Sequence, residues 1–478
     1  MTGRFAALLP ELILSVGGTI LMMVAAFTGR RGSSLVSWLA VALLVVATVA
    51  LVGAPSHAGP VFDGLVTEDL FASFGKAIMF PAAAVAIIAA QGWFDQDSEH
   101  ASEYSVLIVF ATVGMAVMVS ATSLASLYVG LELNSLAGYV LASYQRKDER
   151  SAEAGLKYFV LGALASGILL YGISLLYGFT GTLNFTGIAA AFGRGAPTLG
   201  MLFGLVFVLA GLAFKASAVP FHMWTPDVYE GAPTPVTTFF ASAPKVASVL
   251  LATRVCVEAL GPATDAWRQI VICSALLSIF IGAIAAYGQT NIKRLLAYSS
   301  INNVGFAMVG LAAGGTQGAS AVLFYMAVYV VMTIGAFLCV LWMRDADGEP
   351  VETIASLSGL SQTNPRMAAA FAIFMFSLAG VPPLFGFWPK LLVFTAALQQ
   401  GYVAFAVAGF VGAVIGAYYY LKIVKVMYMD EPAAPYARPR QPLQGLLILL
   451  AALFVSPLGY LLIGPLSSFT DRAAGSLF

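Results

Sequence analysis

Five lysines lie in stretches that are otherwise as apolar as a membrane interior: Lys76, Lys157, Lys215, Lys245 and Lys390. A charge at the centre of a membrane helix costs roughly 2.5–3.5 kcal/mol on insertion scales, so such a residue is a candidate for function. Two of the lysines accompany prolines that should interrupt their own helices, in the stretches Phe214–Pro220 and Gly380–Lys390. A lysine beside a broken membrane helix predicts an ion path, and the simplest ion for an amine to carry is a proton.

Glu132 lies in the middle of an apolar run, where a carboxylate needs a cationic partner or a bound proton. Lys215 is the best candidate partner, because Pro220 frees backbone groups that only water, Ser217 or neighbouring helices can satisfy. At about 4 Å and an effective dielectric constant near 20, a Glu–Lys pair is worth roughly 4 kcal/mol. Making or breaking the pair is therefore predicted to switch the lysine between its charged and neutral forms. A static structural ion pair is the alternative.

Three further residues are predicted to extend this line. His222 follows the break by two residues, and an ordinary pKa near 6.5 suits a relay between lysines; a backbone hydrogen-bond partner is the alternative. Lys245, near the middle of its span, is predicted to continue the path. Lys390, after the break at Pro382 and Pro383, is predicted to be a terminal proton-loading site on the outward half.

The other two lysines lie near the ends of their spans, where the long side chain can reach the membrane surface. For Lys157 the sequence leaves two interpretations open, a functional role and this reach to the surface, which is called snorkelling. For Lys76 snorkelling is favoured.

The composition is that of a membrane protein. The chain is 60% hydrophobic and 10% charged, with a mean hydropathy of +0.90, whereas soluble domains are about 25% charged. The formal net charge is zero, so nothing suggests a nucleic-acid partner. The three cysteines lie far apart, and the sequence contains no C-x-x-C, GxGxxG, Walker or H-E-x-x-H motif. Any electron transfer in this protein's reaction is therefore expected in other polypeptides.

A helix needs about 20 apolar residues to cross the hydrocarbon layer. Such runs are predicted at about 7–27, 35–53, 70–91, 104–121, 123–143, 155–178, 199–219, 234–258, 267–288, 294–313, 318–342, 367–396, 403–429 and 444–465. The loops on one side carry 13 Lys and Arg against 5 on the other. Because basic loops stay in the cytoplasm, both termini are predicted to face away from it.

Two further patterns bear on this arrangement. Asp95, Asp97, Glu99 and Glu103 make the predicted cytoplasmic loop 92–103 acidic, which indicates a solvated face or, alternatively, a docking surface. The Pro220–Trp224 and Pro382–Trp388 stretches both follow small residues and end on tryptophan, five spans apart. An odd offset means opposite orientations, which is typical of inverted repeats with broken helices at their interface.

Three stretches together resemble a known family. They are Val129–Leu133, Phe214–Val236 and Lys293–Ile301, of which the second is highly specific. They resemble the N subunits of respiratory NADH:quinone oxidoreductase (complex I), which are antiporter-like membrane subunits, and the resemblance covers essentially the whole chain.

This resemblance implies roles for individual residues. The family's carboxylate of the fifth helix falls on Glu132 and the lysine of its broken seventh helix on Lys215; the histidine after the break is His222. Three more family lysines fall on Lys157, Lys245 and Lys390. Family members often carry a histidine where this chain has Asn302 and Asn303, so water would have to bridge that point.

The implied fold is an all-α polytopic membrane protein of about 14 transmembrane helices, with two inverted five-helix repeats and with helices 7 and 12 discontinuous. Residues 1–100 would hold helices 1–3, 101–262 the first repeat (helices 4–8), 263–430 the second (helices 9–13), and 431–478 helix 14.

The resemblance also implies a proton-translocating subunit in the bacterial inner membrane, with both termini periplasmic. No cofactor is expected in this chain; FMN, iron–sulfur clusters and quinone are expected in partner subunits. Those partners would be M-, K- and J-type neighbours and the lateral helix of an L-type subunit, all within the lipid bilayer. A D-type subunit of a multisubunit Na+/H+ antiporter and a structural membrane scaffold are the alternatives.

Overall fold

The computed structural model describes residues 8–53, 58–94, 101–437 and 441–478. The predicted loop residues Asp95, Asp97 and Glu99, and the basic residues Arg4, Arg438 and Arg440, lie outside these ranges. The described helices are α1 (Leu9–Thr28), α2 (Ser33–Ala50), α3 (Leu70–Ala89), α4 (Ala101–Ser120), α5 (Leu124–Ala142), α6 (Glu149–Thr180), α7 (Phe185–Phe192), α8 (Leu199–Ala216), α9 (Trp224–Gly231), α10 (Thr234–Phe240), α11 (Ala243–Arg254), α12 (Thr264–Tyr287), α13 (Ile292–Ala313), α14 (Gly315–Leu341), α15 (Leu360–Thr363), α16 (Pro365–Ala379), α17 (Phe387–Gln399), α18 (Val403–Met429), α19 (Pro442–Val455) and α20 (Ile463–Gly475). A short antiparallel hairpin, β1 (Ala58–Val61) and β2 (Val66–Glu68), precedes α3.

Within the described residues, 12 helical stretches are long and apolar enough to cross a membrane, or 13 if the bent pair at the C-terminus is one span. The predicted all-α polytopic class is confirmed. The predicted run 367–396 is divided between α16 and α17, each shorter than a membrane is thick. The total of 14 and the inverted repeats therefore stay predictions.

Helix ends follow local sequence chemistry. The side chains of Ser123, Asp148, Thr198 and Asn291 each accept a hydrogen bond from a backbone N–H in the first turn of the helix that follows. Such caps satisfy N–H groups that a helix leaves free at its start. At its other end α6 stops at Gly181, whose φ of +75° is readily adopted only by glycine.

The two predicted helix breaks are confirmed. The α8 helix ends at Ala216, Ser217 takes a left-handed conformation with φ of +64°, and α9 begins only at Trp224. In the same way α16 ends before Gly380, with φ of +83°, and α17 begins at Phe387. Proline cannot donate a helical hydrogen bond, so both interruptions follow from the prolines that occupy them.

A third interruption was not predicted. The run 234–258 reads as one apolar span, but α10 ends at Phe240 and α11 begins at Ala243, with Pro244 in its first turn. Lys245 therefore lies at the start of a new helix segment rather than inside a continuous one.

Among the described helices long enough to span a membrane, α13 and α14 are the most enclosed, with 89% and 94% of the residues in their apolar windows buried, against 33% in α1 and α2. The broken segments α9, α10 and α17 pack against this pair. The breaks thus lie towards the protein interior, where neighbouring side chains can satisfy the freed backbone groups.

The expectation that Lys76 snorkels to the surface is wrong. Its side chain is fully buried, and its Nζ forms ion pairs with Glu11 and Glu68. These carboxylates come from α1 and β2, and only the tertiary fold brings them to Lys76.

Candidate functional site

Lys215 projects from the last turn of α8, directly before the break. It is 6% exposed, and its Nζ donates a hydrogen bond of 2.9 Å to Ser135 Oγ in α5. The Ser135 hydroxyl in turn donates to the Leu131 carbonyl of its own helix, at 2.8 Å. Lys215 is thereby held against the helix that carries Glu132.

Glu132 lies one turn before Ser135 but does not bind Lys215 directly in this structure. Its carboxylate accepts a hydrogen bond from Ser166 of α6. Ser135, Ser166 and Lys215 line a shared cavity of about 10 Å³, which is close to the space that one water occupies. Lys215 and the serine that binds Glu132 therefore share a small cavity, and each charged group of the predicted pair is bound by a serine.

Lys245 lies on the other side of the same break. Its Nζ, 1% exposed, donates to Ser217 Oγ and, at 3.3 Å, to the Ala216 carbonyl. The Ser217 hydroxyl also accepts a hydrogen bond of 2.6 Å from Thr225. The rings of Trp224 and Tyr229 lie 5.2 and 5.7 Å from the ammonium nitrogen. Two lysines thus meet one helix end, with the carbonyls at the C-terminus of α8 attracting positive charge.

Lys390 occupies the corresponding position at the second break. Its Nζ donates to the carbonyls of Leu378 and Ala379, at 2.8 and 2.9 Å, which are the last carbonyls of α16. The ring of Phe306 lies 4.7 Å away. Each broken helix therefore ends with its free carbonyls bound by a lysine from a different segment.

A chain of hydroxyl and amide groups lies in the half of the protein that contains Lys390. Tyr325 Oη donates to Asn303 Oδ1 at 2.7 Å, and Asn303 Nδ2 donates to Tyr420 Oη at 3.2 Å. Tyr420 shares a hydrogen bond of 2.5 Å with Ser299, and a similar bond of 2.9 Å joins Ser300 to Tyr329. The Asn303 position is thus a junction in a buried polar network, where sequence analysis saw only a missing histidine.

His222 lies in the break between α8 and α9. It is half-buried, and its Nδ1 is enclosed without a hydrogen-bond partner in the described part of the chain. The adjacent Met223 is 61% exposed. Its predicted role as a relay between lysines stays a prediction.

Lys157 belongs to a network of ion pairs at one end of α6. Its Nζ lies 2.7 Å from Glu153 Oε1 and 2.8 Å from Asp227 Oδ2, and its side chain is 42% exposed. Arg294 Nη1 lies 2.7 Å from Asp227 Oδ1 and 2.9 Å from Glu230 Oε2. Lys157 is therefore joined to the segment α9, which follows the first break.

The network continues through Glu352, in the loop before α15. Its two carboxylate oxygens lie 2.7 Å from Lys293 Nζ and 3.0 Å from Arg150 Nη2. Burial raises the pKa of the Glu352 carboxyl, but Lys293 and Arg150 lower it by more than burial raises it. The pKa of Glu352 therefore lies below its ordinary value. These carboxylates are not among the residues predicted from the sequence, although Asp227 and Glu230 lie inside the specific stretch 214–236, which is the signal that could have indicated them.

Comparisons with known proteins show which family this chain belongs to. The family described as NADH:quinone oxidoreductase/Mrp antiporter, TM, matches residues 121–416. The NADH-quinone oxidoreductase subunit N of Rhizorhabdus wittichii is 62% identical over 480 residues, covering 100% of both chains. A chain of respiratory complex I from Thermus thermophilus with bound aureothin is 31% identical, with a TM-score of 0.82 over 96% of this chain and 98% of that chain.

The Mrp complex from a Dietzia species shares the fold, with a TM-score of 0.85 at 22% identity over 99% of this chain and 97% of its own. That likeness extends to architecture alone. On the full-length identity and the matched family, the chain belongs to the antiporter-like membrane subunits of NADH:quinone oxidoreductase, and among them to the N subunits.

Proposed function

We propose that this proton-translocating subunit carries protons along a path that includes Glu132, Lys215, Lys245 and Lys390. The observation that carries the proposal is the first helix break, where Lys215 and Lys245 lie on two sides of one polar helix end. Buried amines beside backbone carbonyls, hydroxyls and a water-sized cavity have the donors and acceptors that proton transfer needs.

Glu132 acts as the switch. A carboxylate near Lys215 stabilises the ammonium form, by roughly 4 kcal/mol for a pair at about 4 Å with an effective dielectric constant near 20. In the arrangement described above the carboxylate is held by Ser166 and the amine by Ser135. A rearrangement that brings the two together favours proton uptake at Lys215, and their separation favours release towards Lys245.

The remaining candidates take positions around this path. Lys157, with Asp227, lies at the entrance on the cytoplasmic side, where its ion pairs hold α9 against α6. Lys390 is the terminal proton-loading site beyond the polar network of Asn303. His222 serves the transfer between the lysines.

The subunit works within the membrane arm of NADH:quinone oxidoreductase in the bacterial inner membrane. We place both termini on the periplasmic side, as the basic loops favour. FMN, iron–sulfur clusters and quinone are assigned to partner subunits, and M-, K- and J-type subunits and the lateral helix of an L-type subunit to the neighbours. Residues 1–100, 101–262, 263–430 and 431–478 are assigned to the N-terminal helices, two inverted repeats and the last helix.

The decisive experiment compares Glu132→Gln, Lys215→Ala and Lys215→Arg in the assembled complex in inverted membrane vesicles. Gln removes the switching charge and Ala removes the carrier, so both lower proton pumping, and quinone reduction falls with it where coupling is tight. Arg does not rescue, because a guanidinium with a pKa above about 12 does not release its proton.

A structural scaffold predicts the opposite order. Arg would then keep the positive charge and the activity, while Gln and Ala would impair assembly. Complex assembly is therefore measured beside pumping, and a fully assembled, fully pumping Lys215→Arg enzyme would exclude the relay.

A further inference from the structure

Buried titratable side chains also lie at the face where α6 ends, opposite the Lys157 network at its start. Isolated β-bridges join Val66 to Ala121 and Ser123 to Asn184, and Asn184 follows the end of α6. The hairpin residue Glu68 and the first turns of α3 therefore lie at that face. By the orientation proposed above, this face is periplasmic.

Three of these side chains form a triad, in which two carboxylates contact one lysine nitrogen. Lys76 Nζ contacts both Glu11 and Glu68, and the three residues are 0%, 5% and 0% exposed, respectively. Ser73 Oγ donates a hydrogen bond of 2.7 Å to the Glu68 carboxylate. Oε2 of Glu11 is buried and accepts no hydrogen bond within the described chain.

The triad has more acid than base. With both carboxylates ionised, two negative charges face one ammonium group, and an uncompensated buried charge is strongly unfavourable. One bound proton, shared between Glu11 and Glu68, removes the imbalance and leaves a neutral acid beside a complete Glu–Lys ion pair.

Within the described residues, the charged groups of the elements packed on α3 add no net positive charge, since α20 carries one charge of each sign, Asp471 and Arg472. Arg254 of α11 is fully buried and pairs with Asp69 at 2.7 Å and with Glu258 at 2.5 Å, so this second cluster again contains two carboxylates and one cation. The neighbouring helix α4 contributes Ser120, whose buried hydroxyl has no partner in the described chain.

The triad is also placed next to the proposed path. Arg254 belongs to α11, the helix segment that begins beside Lys245, and α3 packs against this segment. A methyl group on Gly75 would lie 2.7 Å from Leu250 of α11, so the two helices are in close contact at the residue before Lys76.

We propose that Glu11, Glu68 and Lys76 form a site that holds one exchangeable proton, and that this site is a second exit to the outer face, which branches from the relay at Lys245 beside the terminal site at Lys390. A proton arriving from the relay converts one carboxylate to the acid, and the same O–H bond breaks when the proton passes to water at that face. Lys76 keeps its charge throughout. The direction of transfer rests on the proposed relay and orientation, whereas the bound proton does not.

The surroundings of Glu68 support a bound proton. Burial is the largest influence on its carboxyl and raises the pKa; Lys76 lowers it, Glu11 raises it again, and the pKa lies above the ordinary value of 4.5.

The test uses Glu11→Gln and Glu68→Gln in the complete NADH:quinone oxidoreductase, because glutamine has the shape of a protonated glutamate. Infrared difference spectra between acidic and alkaline buffer report the C=O stretch of a carboxylic acid. We expect the unmodified complex to show a band that both variants lose, with assembly retained. Both variants should also release fewer protons per NADH oxidised than the unmodified complex. Asp63→Asn, in the exposed loop of the same hairpin, is the matched control and should keep the band.

Three results would overturn the proposal. Spectra that are identical in all four proteins would mean that the triad binds no proton in this range. Failure of both glutamine variants to assemble would mean that two ionised carboxylates are needed as structural ion pairs. Normal pumping in both variants, alongside a Lys215→Ala enzyme that does not pump, would leave the relay intact and remove the triad from the path.

Discussion

At the scale of single residues, serine hydroxyls join the charged groups of this subunit. Sequence analysis identified Glu132, Lys215 and Lys245 because an isolated charge in an apolar run is conspicuous. It did not identify Ser135 or Ser166, since serine is common in membrane helices and its sequence position gives no signal. The partners of Lys215 and Glu132 depend on how α5 packs against α8 and α6, which no local pattern contains.

Ser135→Ala is expected to lower proton pumping by about tenfold while the complex still assembles. A hydrogen bond to a charged group contributes about 1.5–3 kcal/mol, and alanine leaves the Lys215 amine without this partner. Pumping by inverted vesicles is compared with that of Ser143→Ala, at the end of the same helix, whose hydroxyl bonds, among the described residues, to carbonyls of its own preceding turn. Equal pumping by the two variants would show that Ser135 is not part of the path.

At the scale of helices, the breaks explain why lysines are tolerated in the interior. A continuous helix satisfies its own carbonyls, whereas α8 and α16 each end inside the protein and leave carbonyls free for an ammonium group. Both of these breaks were predictable, because proline acts locally. The break between α10 and α11 was not, since Pro244 occupies the first turn, a position that proline also takes at an ordinary helix start.

Gly386→Ala is expected to disturb the second break. A methyl group at this position would lie 2.0 Å from the Ser377 carbonyl oxygen, so the backbone has to move, which costs about 1–3 kcal/mol in a packed core. The amount of assembled complex and its melting temperature should both fall. Gly288→Ala, where nothing lies within 4 Å of the added methyl, should leave both unchanged; equal behaviour of the two variants would contradict the close approach.

At the scale of the whole molecule, the ion pairs between segments lie towards the two ends of α6. The prediction that Lys76 snorkels was wrong because neither of its ion-pair partners lies in its own span. Glu11 is distant in the sequence and Glu68 lies just before the span, so the local pattern around Lys76 does not indicate the ion pairs. The network of Lys157, Asp227, Arg294 and Glu352 was missed for the same reason. Composition and hydropathy thus determined the class and approximate spans, while ion pairs between segments required the fold.

Glu352→Gln is expected to destabilise the subunit at neutral pH by about 3–5 kcal/mol, because it leaves the buried Lys293 unpaired. The folded-state pKa of Glu352 lies below its ordinary value of 4.5. Its stabilising effect is therefore fully present above that value and is lost as the pH falls through the lower folded-state pKa. Melting temperatures of the two proteins should differ at neutral pH and converge in acid; a constant difference would contradict this assignment.

Orientation is tested by labelling single cysteines in intact cells, with the exposed Cys273 replaced by serine. Ser151 is fully buried and Ser56 lies outside the described residues, so the exposed positions Lys147 and Arg194 are better sites. A reagent that does not cross the inner membrane should label Arg194→Cys and leave Lys147→Cys unlabelled. The reverse pattern would invert the proposed topology.

The junction at Asn303 has a kinetic consequence. A hydroxyl that passes a proton ends with its O–H turned the other way and must rotate back before the next transfer, whereas an amide keeps its donor and acceptor sides fixed. Asn303 accepts from Tyr325 and donates to Tyr420, so on the proposed path it would return both hydroxyls to one orientation after each proton passes and would interrupt direct transfer between them. Proton conduction at this point would then depend on water and on rotation of the tyrosine hydroxyls back to their starting orientation. Proton pumping should therefore slow in heavy water more than electron transfer measured without a proton gradient.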